Sequence, residues 1–437
     1  DAIYNMQDTT EMPSADAEVK FGRLYGHYTD IQADVIGGIL TAALHAPRMK
    51  AGLEVQSLKA SMGEDYAIQT QHVAIDAAAK YNKDGGDNIL LTWLPMLNVD
   101  MKQAEVTIAG WEQKLLIPDM DLAYSNRDFH IESSKFILGN SDFELTGDVK
   151  HIGRWLREQG TLEGELNFIS NHTDANELLV LLSADDESEE DRLEDTGQPL
   201  QDSTNTYSVE KNNEEREPFL VPKNVDVILN TQIKETNFFN QTARELGGKI
   251  YIKDGTLILE EMGFICNAAK LQLTAMYRTP RKNHIYVGFD YHMMDINIQE
   301  LIGMIPQIDT MLPMLRSFKG EAEFHLAAET YTNAQYEIKP STLRGAASIF
   351  GKDLVVMDSE TFSKISKLLL FSKKTENRID SISAEMTLYK KEIDVYPFCV
   401  SMDNYMVALG GRHNLDMSFK YDVNVLSPIY LGVNVSG

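Results

Sequence analysis

Histidines, cysteines and paired carboxylates are the residues best able to carry chemistry in this chain. Ten histidines, two cysteines and 66 acidic residues occur among its 437 residues. A histidine near a second histidine or a cysteine would suit a metal ion, a CxxC pair would suit redox chemistry, and two converging carboxylates would suit glycoside hydrolysis. The histidines and cysteines lack that spacing, and the sequence singles out no carboxylate pair. The GxSxG, HExxH, GxxxxGK[ST] and GxGxxG motifs of common enzyme classes are also absent from it.

The individual candidates have simpler structural interpretations. His284, His292 and His325 fall on or beside predicted strands, where we expect surface or core roles instead of metal ligation. Cys266 and Cys399 are too few for a disulfide framework, and we expect both to be small buried side chains. We therefore predict no catalytic residue, no metal site, no cofactor and no enzymatic activity.

The charge of the chain is strongly acidic and unevenly distributed. Forty basic against 66 acidic residues give −26, which disfavours nucleic acid as a partner. Residues 183–217 hold thirteen acids, three bases and few large apolar residues, so we predict a disordered acidic linker or loop there. A calcium-binding loop is the alternative, but the EF-hand spacing is missing. The predicted organisation is an N-terminal β-rich portion (residues 1–182), this linker, and a C-terminal β-rich region (residues 218–437).

Alternation of apolar and polar residues with a period of two is the main structural signal. It recurs along the chain in stretches such as 161–169, 382–388 and 415–425. Strict alternation is typical of antiparallel strands with one apolar and one solvated face. The sequence predicts an all-β, mainly antiparallel protein with a few short helices, built as an elongated, curled β-sheet groove or a repeated β-meander.

Turns and helices are predicted from shorter signals. Turn residues occur at four places: Asp84-Gly85-Gly86, Lys253-Asp254-Gly255, Lys390-Lys391-Glu392 and Gly410-Gly411. Apolar residues at helical spacing predict short helices in four stretches: 151–159, 175–182, 297–315 and 360–371. Pro306 is expected to end the first helical piece of residues 297–315.

The apolar strand faces outnumber the helices that could cover them. Two sheets could pack face to face as a sandwich, or one sheet could curl around an apolar ligand such as a lipid chain. In the second case, one shared trough would be lined by alternating residues of several strands. The candidate lipid-lining residues are Leu257, Leu259, Leu271, Leu273, Ile285, Val287, Phe289, Phe324, Leu326, Met386 and Leu388.

Several segments together resemble one known family. The run FELTGDVKHIGRWLREQGTLEGELNF (143–168), followed by SNHTDANELLVLL (170–182), is similar to the AsmA-like family of bacterial envelope proteins. VPKNVDVIL (221–229), GGKIYIKDGTLILEEMGF (247–264) and VALGGRHNLDMSFKYDVNV (407–425) fit the same pattern. The likeness covers most of residues 104–437, and the first hundred residues share only the strand pattern.

The resemblance implies a function. AsmA-like proteins, with the TamB-like group, resemble bridge-like lipid transfer proteins, whose curled sheet forms an apolar groove for phospholipid tails. It implies a non-enzymatic, periplasmic lipid-binding or lipid-transfer protein that supports outer-membrane lipid homeostasis and assembly. Its partner would be a phospholipid or other acyl lipid, and an N-terminal helix outside this sequence would anchor it to the inner membrane.

Two other functions stay open. The chain could be a scaffold or chaperone-like factor for outer-membrane protein assembly, or, with less support, an envelope hydrolase. No run of about 18 apolar residues and no basic-then-apolar leader occurs. Since the chain begins and ends in mid-pattern, we expect it to be a piece of a longer protein.

Overall fold

A computed structural model gives the protein's structure for most of the chain. The described residues are 2–4, 14–45, 48–81, 93–111, 113–125, 128–155, 159–178, 218–238, 241–304, 318–357, 376–402, 405–414, 418–428 and 430–437. They form 23 strands and a few short helical segments, which confirms the predicted all-β class. The predicted linker at residues 183–217 lies outside the described residues.

The chain divides into two compact units. The first unit is Asp1–Thr204 with Asn224–Phe239, and the second is Asn205–Lys223 with Asn240–Gly437. The strand that follows residue 224 therefore belongs to the first unit, although the sequence placed it after the linker. Its parallel pairing with a strand more than 50 residues earlier is a non-local contact that a local pattern does not reveal.

The strands of the first unit form an antiparallel array that ends in one parallel pair. Its strands are β1 (Ala2–Tyr4), β2 (Ser14–Tyr28), β3 (Ile31–His45), β4 (Arg48–Met62), β5 (Tyr66–Thr70), β6 (His72–Tyr81), β7 (Trp93–Ile108), β8 (Leu115–Ser125), β9 (Asp128–Leu138), β10 (Ser141–Lys150), β11 (Leu162–Asp174) and β12 (Val225–Phe238). The described pairings join neighbours in the chain, except that β5 and β6 both lie between β4 and β7. The parallel pair is β11 with β12.

The second unit is an antiparallel meander. Its strands are β13 (Gln241–Lys253), β14 (Thr256–Ile265), β15 (Lys270–Arg281), β16 (His284–Asn297), β17 (Phe318–Thr332), β18 (Arg344–Met357), β19 (Glu376–Tyr389), β20 (Glu392–Met402), β21 (Tyr405–Asn414), β22 (Phe419–Ser427) and β23 (Leu431–Ser436). Each strand pairs antiparallel with the next.

The helical segments are short and lie between strands. They are α1 (Ile152–Trp155), a turn at residues 175–178, α2 (Ile298–Met304) and a 3₁₀ turn (Pro340–Thr342). The first three fall inside predicted helices, and the 3₁₀ turn was not predicted. The predicted helix at 360–371 and the remainder of 297–315 beyond Met304 lie outside the described residues.

Bulges interrupt the alternation and bend the strands. Glu261 and Asp295 have positive φ values of 50° and 51°. The strand register shifts between Leu259 and Met262, and again between Met293 and Ile296. Because one extra residue enters the strand, the apolar pattern resumes three residues later instead of two, with a local bend and a stronger twist.

One predicted turn and one predicted strand were wrong. Gly410 and Gly411 lie inside β21, where a Cβ at Gly411 would overlap the backbone oxygen of Lys420, so this glycine permits close strand approach. The alternating run 415–425 is not one strand. The Asn414 N–H donates to the Ser418 carbonyl at 2.8 Å and closes a hairpin before β22 begins. The Asp84-Gly85-Gly86 turn lies outside the described residues.

Candidate functional site

The eleven candidate lining residues share one face of the second unit. Residues directly opposite in antiparallel strands point to the same side of a sheet. One such row contains Leu259, Ala275, Phe289, Ala328, Gly345 and Leu388, and the next contains Leu273, Tyr291, Leu326, Ala347 and Met386. The other candidates fall in adjoining rows of the same face. We call this surface the apolar face of the second unit.

The middle of this apolar face is not covered as a sandwich core would be. Nine of the eleven side chains are half-buried, and Phe289 is 36% exposed. Only Ile285 is fully buried, at 0%. A second sheet packed on this face would bury the other ten residues as completely as Ile285, so within the described part of the chain the face is a trough between covered margins with no sheet above it.

The helix α2 covers one margin of the apolar face. Asn297 Oδ1 accepts the N–H groups of Gln299 and Glu300 at 3.1 and 3.2 Å, which caps the helix. Leu301 then packs into the cluster of buried residues formed by Ala268, Ala269, Met293 and Ile296. This cluster forms one side wall of the trough.

A segment without regular secondary structure covers the opposite margin. We call residues 218–223 the strap. Its Phe219 carbonyl accepts the Tyr277 hydroxyl at 2.7 Å, and its Phe219 N–H donates to the Tyr336 hydroxyl at 2.9 Å. Val221, 4% exposed, donates its N–H to Thr279 Oγ1 at 3.0 Å. The strap therefore forms a hydrogen-bonded second wall, at the end of the sheet where Ile285 is buried.

Three tyrosines on the apolar face have pKa values raised above the usual value. Burial raises the pKa of Tyr291 to about 12. Burial also raises the pKa of Tyr277, with a further contribution from its hydrogen bond with Tyr336. Burial alone raises the pKa of Tyr421. Each shift means that burial disfavours the phenolate, and burial raises the pKa of Tyr286 on the opposite face as well.

The opposite face of the second unit is polar. His325 Nε2 lies 2.6 Å from Asp290 Oδ1, and Arg412 donates to Asp394 at 2.7 Å. His325 also faces His292, with ring centroids 5.3 Å apart, while His284 stacks on Tyr331. The sheet is amphipathic across its thickness, so water on one side and an apolar ligand on the other are both compatible with it.

The first unit carries a second apolar surface, which sequence reasoning missed. Four alanines lie directly opposite one another on successive strands: Ala17, Ala42, Ala51 and Ala77. Two residues away on one side lie Leu40 and Leu53; on the other side Leu44 and Met49 flank the two central alanines. Ala15 and Ala79 flank the two outer alanines on that second side. The small residues thus form the floor of a groove that crosses the strands. We call it the alanine furrow.

The alanine furrow contains a partly open cavity of about 660 Å³. That volume lies within the roughly 300–1,000 Å³ of known small-molecule sites. Four strands at about 4.8 Å spacing give the row a length of about 14 Å between its first and last Cα atoms. Leu97 and Tyr124 continue the row on the next two strands. Their large side chains close the furrow at this end. Both residues also line the cavity.

The segment behind the family resemblance has a structural role here. Burial would favour the neutral acid at Asp142, but N–H groups of His172 and Asn171 donate to its carboxylate and hold its pKa below the usual value. Asp174 Oδ1 accepts the N–H groups of Asn176 and Glu177 at 3.0 and 3.3 Å, which caps the helical turn. These acids therefore fix a strand end and a helix start.

The chemistry-bearing residues do not assemble into a metal or redox site within the described part of the chain. No group of three or more histidine, cysteine, aspartate or glutamate side chains there could hold a metal ion. Both cysteines are free. Cys266 is half-buried beside the core cluster, but Cys399 is exposed, so the expectation of burial was wrong for it. None of the described helices has the length and apolar character needed to cross a membrane.

Comparison with known proteins adds no family. No family model, no curated protein and no solved structure matches the chain. The AsmA-like resemblance stays a prediction, and so does each residue role that depends on it.

Proposed function

We propose that this protein binds lipid acyl chains on its apolar sheet faces, as a non-enzymatic lipid-binding or lipid-transfer protein of the bacterial envelope. The observation that carries the proposal is the alanine furrow, a cavity of about 660 Å³ whose lining residues are apolar or aromatic except for Asp16 and Lys50. The open trough of the second unit is a further surface of the same kind. The phospholipid or other acyl lipid is the proposed partner.

The energetics favour an acyl chain as the occupant. Each CH₂ group moved from water to an apolar surface contributes roughly 0.8 kcal/mol, and a chain brings many such groups in line. The floor of the furrow needs no polar partner, because alanine side chains neither donate nor accept hydrogen bonds. A polar or charged ligand would lose its hydration there without compensation.

The cellular setting in this proposal rests on the AsmA-like resemblance. We place the protein in the periplasm, held at the inner membrane by an anchor outside this sequence, and acting in outer-membrane lipid homeostasis and assembly. We assign it no cofactor and no catalysis. The support for that assignment is that the sequence contains neither the GxSxG motif of serine hydrolases nor the GxxxxGK[ST] motif of phosphate-binding loops.

Lipid analysis of the purified chain tests the proposal. Native mass spectrometry should detect co-purified lipid, and a delipidated sample should take up a fluorescent fatty acid. A protein that carries no lipid and takes up no fatty acid would reject acyl-chain binding. The alternative, a scaffold for outer-membrane protein assembly, would then gain support if the chain bound unfolded outer-membrane strands instead.

A further inference from the structure

A row of exposed apolar side chains lies at one end of the first unit's long strands. Tyr28, Ile31, Met62 and Tyr66 are directly opposite one another on β2, β3, β4 and β5. They are 78%, 48%, 49% and 48% exposed, respectively. We call this row the tyrosine rim. Large side chains exposed together in a row, and not scattered singly, mark an interaction surface.

The rim is the outer edge of an apolar surface. The next row inward contains Gly26, Ala33, Ala60 and Ile68, and the row after that contains Leu24, Val35 and Leu58. The other side of the same strands carries Tyr25, Asp34, Lys59 and Gln69. An object that touches the rim from the apolar side therefore meets hydrocarbon, whereas the opposite side stays in water.

Backbone N–H and carbonyl groups in the turns beside the rim hydrogen-bond to one another. The Gly63 N–H donates to the Asp30 carbonyl at 2.8 Å, and the Ala109 N–H donates to the Asp65 carbonyl at 2.7 Å. The hairpin ends thus use their backbone groups among themselves. A partner that binds by adding a strand needs free backbone groups along an edge, so strand addition does not fit this location.

The size and chemistry of the rim fit a bilayer surface better than a second protein. Stable protein interfaces bury about 800 Å² per partner, and four half-exposed side chains supply on the order of a few hundred. Shallow insertion into a bilayer needs no matching surface. Tyrosine is also enriched at the membrane–water interface, where its ring is apolar and its hydroxyl stays hydrated.

The charge of the turn residues indicates which lipid headgroups the rim can approach. Asp30, Glu64 and Asp65 lie in the turns beside the rim, and these turns contain no lysine or arginine. Carboxylates next to the inserted side chains would repel anionic headgroups and tolerate zwitterionic ones. We propose that the tyrosine rim docks the first unit onto zwitterionic bilayer surfaces. The rim strands β2, β3 and β4 also carry the alanine furrow, but it lies eleven residues further along each strand, about 36 Å away at 3.3 Å per residue.

Vesicle flotation of the full chain tests this docking. The wild type should float with phosphatidylcholine vesicles, and added phosphatidylglycerol should reduce the bound fraction. Tyr28→Ser combined with Tyr66→Ser should lower binding by about tenfold, since two partly inserted rings are lost. The control is Tyr389→Ser combined with Tyr430→Ser, at positions 54% and 75% exposed in the second unit. It should bind like the wild type.

Four results would overturn the docking. They are no flotation of the wild type, equal loss in the control, stronger binding with phosphatidylglycerol, or a rim variant that changes the oligomeric mass in sedimentation. If the double variant fails to fold, Tyr28→Ser alone, at a position 78% exposed, gives the same comparison. Fatty-acid uptake from solution separates the two proposals, because rim variants should retain it even when they no longer bind vesicles.

Discussion

The two units present apolar surfaces of different construction. The second unit uses large side chains on the floor and bounds them with two walls, the α2 cluster and the strap. The first unit uses alanines on the floor, and larger residues of the same strands serve as its walls. One surface is bounded by added segments, and the other by side-chain size alone.

This difference predicts how each surface responds to substitution. A trough floored by Leu273 and Leu326 already fills part of its own space, so polarity should be its most sensitive property. A furrow floored by Ala42 and Ala51 derives its space from missing side-chain volume, so size should be its most sensitive property. The following variants test these two expectations separately.

The largest expected effect is that of a charge in the trough of the second unit. Leu273→Asp should abolish lipid binding there, because an uncompensated carboxylate against an acyl chain costs several kcal/mol or must take up a proton. The adjacent Gln272 is exposed on the polar face, so Gln272→Asp is the matched control. Native mass spectrometry should show fewer bound lipids per chain in the first variant only, because the alanine furrow of the first unit is unchanged. Equal lipid content in the two variants would mean that the apolar face does not bind lipid.

The next effect concerns size in the first unit. Ala42→Trp should fill the alanine furrow and reduce fatty-acid uptake by the first unit at least about tenfold, which corresponds to roughly two CH₂ groups of the acyl chain left in water. Thr41→Trp adds the same side chain one residue away, on the opposite face of β3 and outside the lining of the cavity, and should leave uptake unchanged. Uptake that falls equally in both variants would indicate disturbance of the strands instead of a filled furrow.

The comparison also shows what the sequence could reveal. Strict alternation of large apolar residues was sufficient to bring Leu257, Leu271 and Phe324 onto one face, because side-chain direction in a strand depends only on local geometry. The α2 helix was likewise predicted from its local spacing. Its position beside Met293, however, depends on a bulge at Asp295 that the pattern does not show.

The alanine furrow could not be predicted in the same way. Each of its strands contributes one alanine to the row but carries other alanines as well, so the sequence of a single strand does not mark the row. The furrow exists because the register of four strands aligns Ala17, Ala42, Ala51 and Ala77. Register is set by turn lengths and by the pairing of whole strands, so it lies beyond any one segment.

A smaller effect is expected from loosening the strap. Thr279→Val removes the acceptor for the Val221 N–H and leaves a buried donor unpaired, which should cost about 1–3 kcal/mol of stability. Urea unfolding monitored in the second unit measures it. Thr274→Val is the control, because Thr274 is exposed on the polar face and accepts the Glu261 N–H only at 3.4 Å, so stability should change by less than about 0.5 kcal/mol. Equal stability of the two variants would show that the strap is not held by this hydrogen bond.

The smallest expected effect is a difference in pH response between the units. Because folding raises the pKa of Tyr291 to about 12, above the usual 10.0, its contribution to stability is complete below pH 10 and is lost as the pH rises through about 12. Folding lowers the pKa of Asp142 below its usual 3.8, so its contribution is present above that value and is lost on acidification. Alkali should therefore loosen the second unit, and acid the first. Urea midpoints across both ranges, with Tyr291→Phe and Asp142→Asn as variants, measure the two effects. Tyr291→Phe should flatten only the alkaline slope and Asp142→Asn only the acidic one. If either variant altered both slopes, its residue would not be the local cause of the pH response.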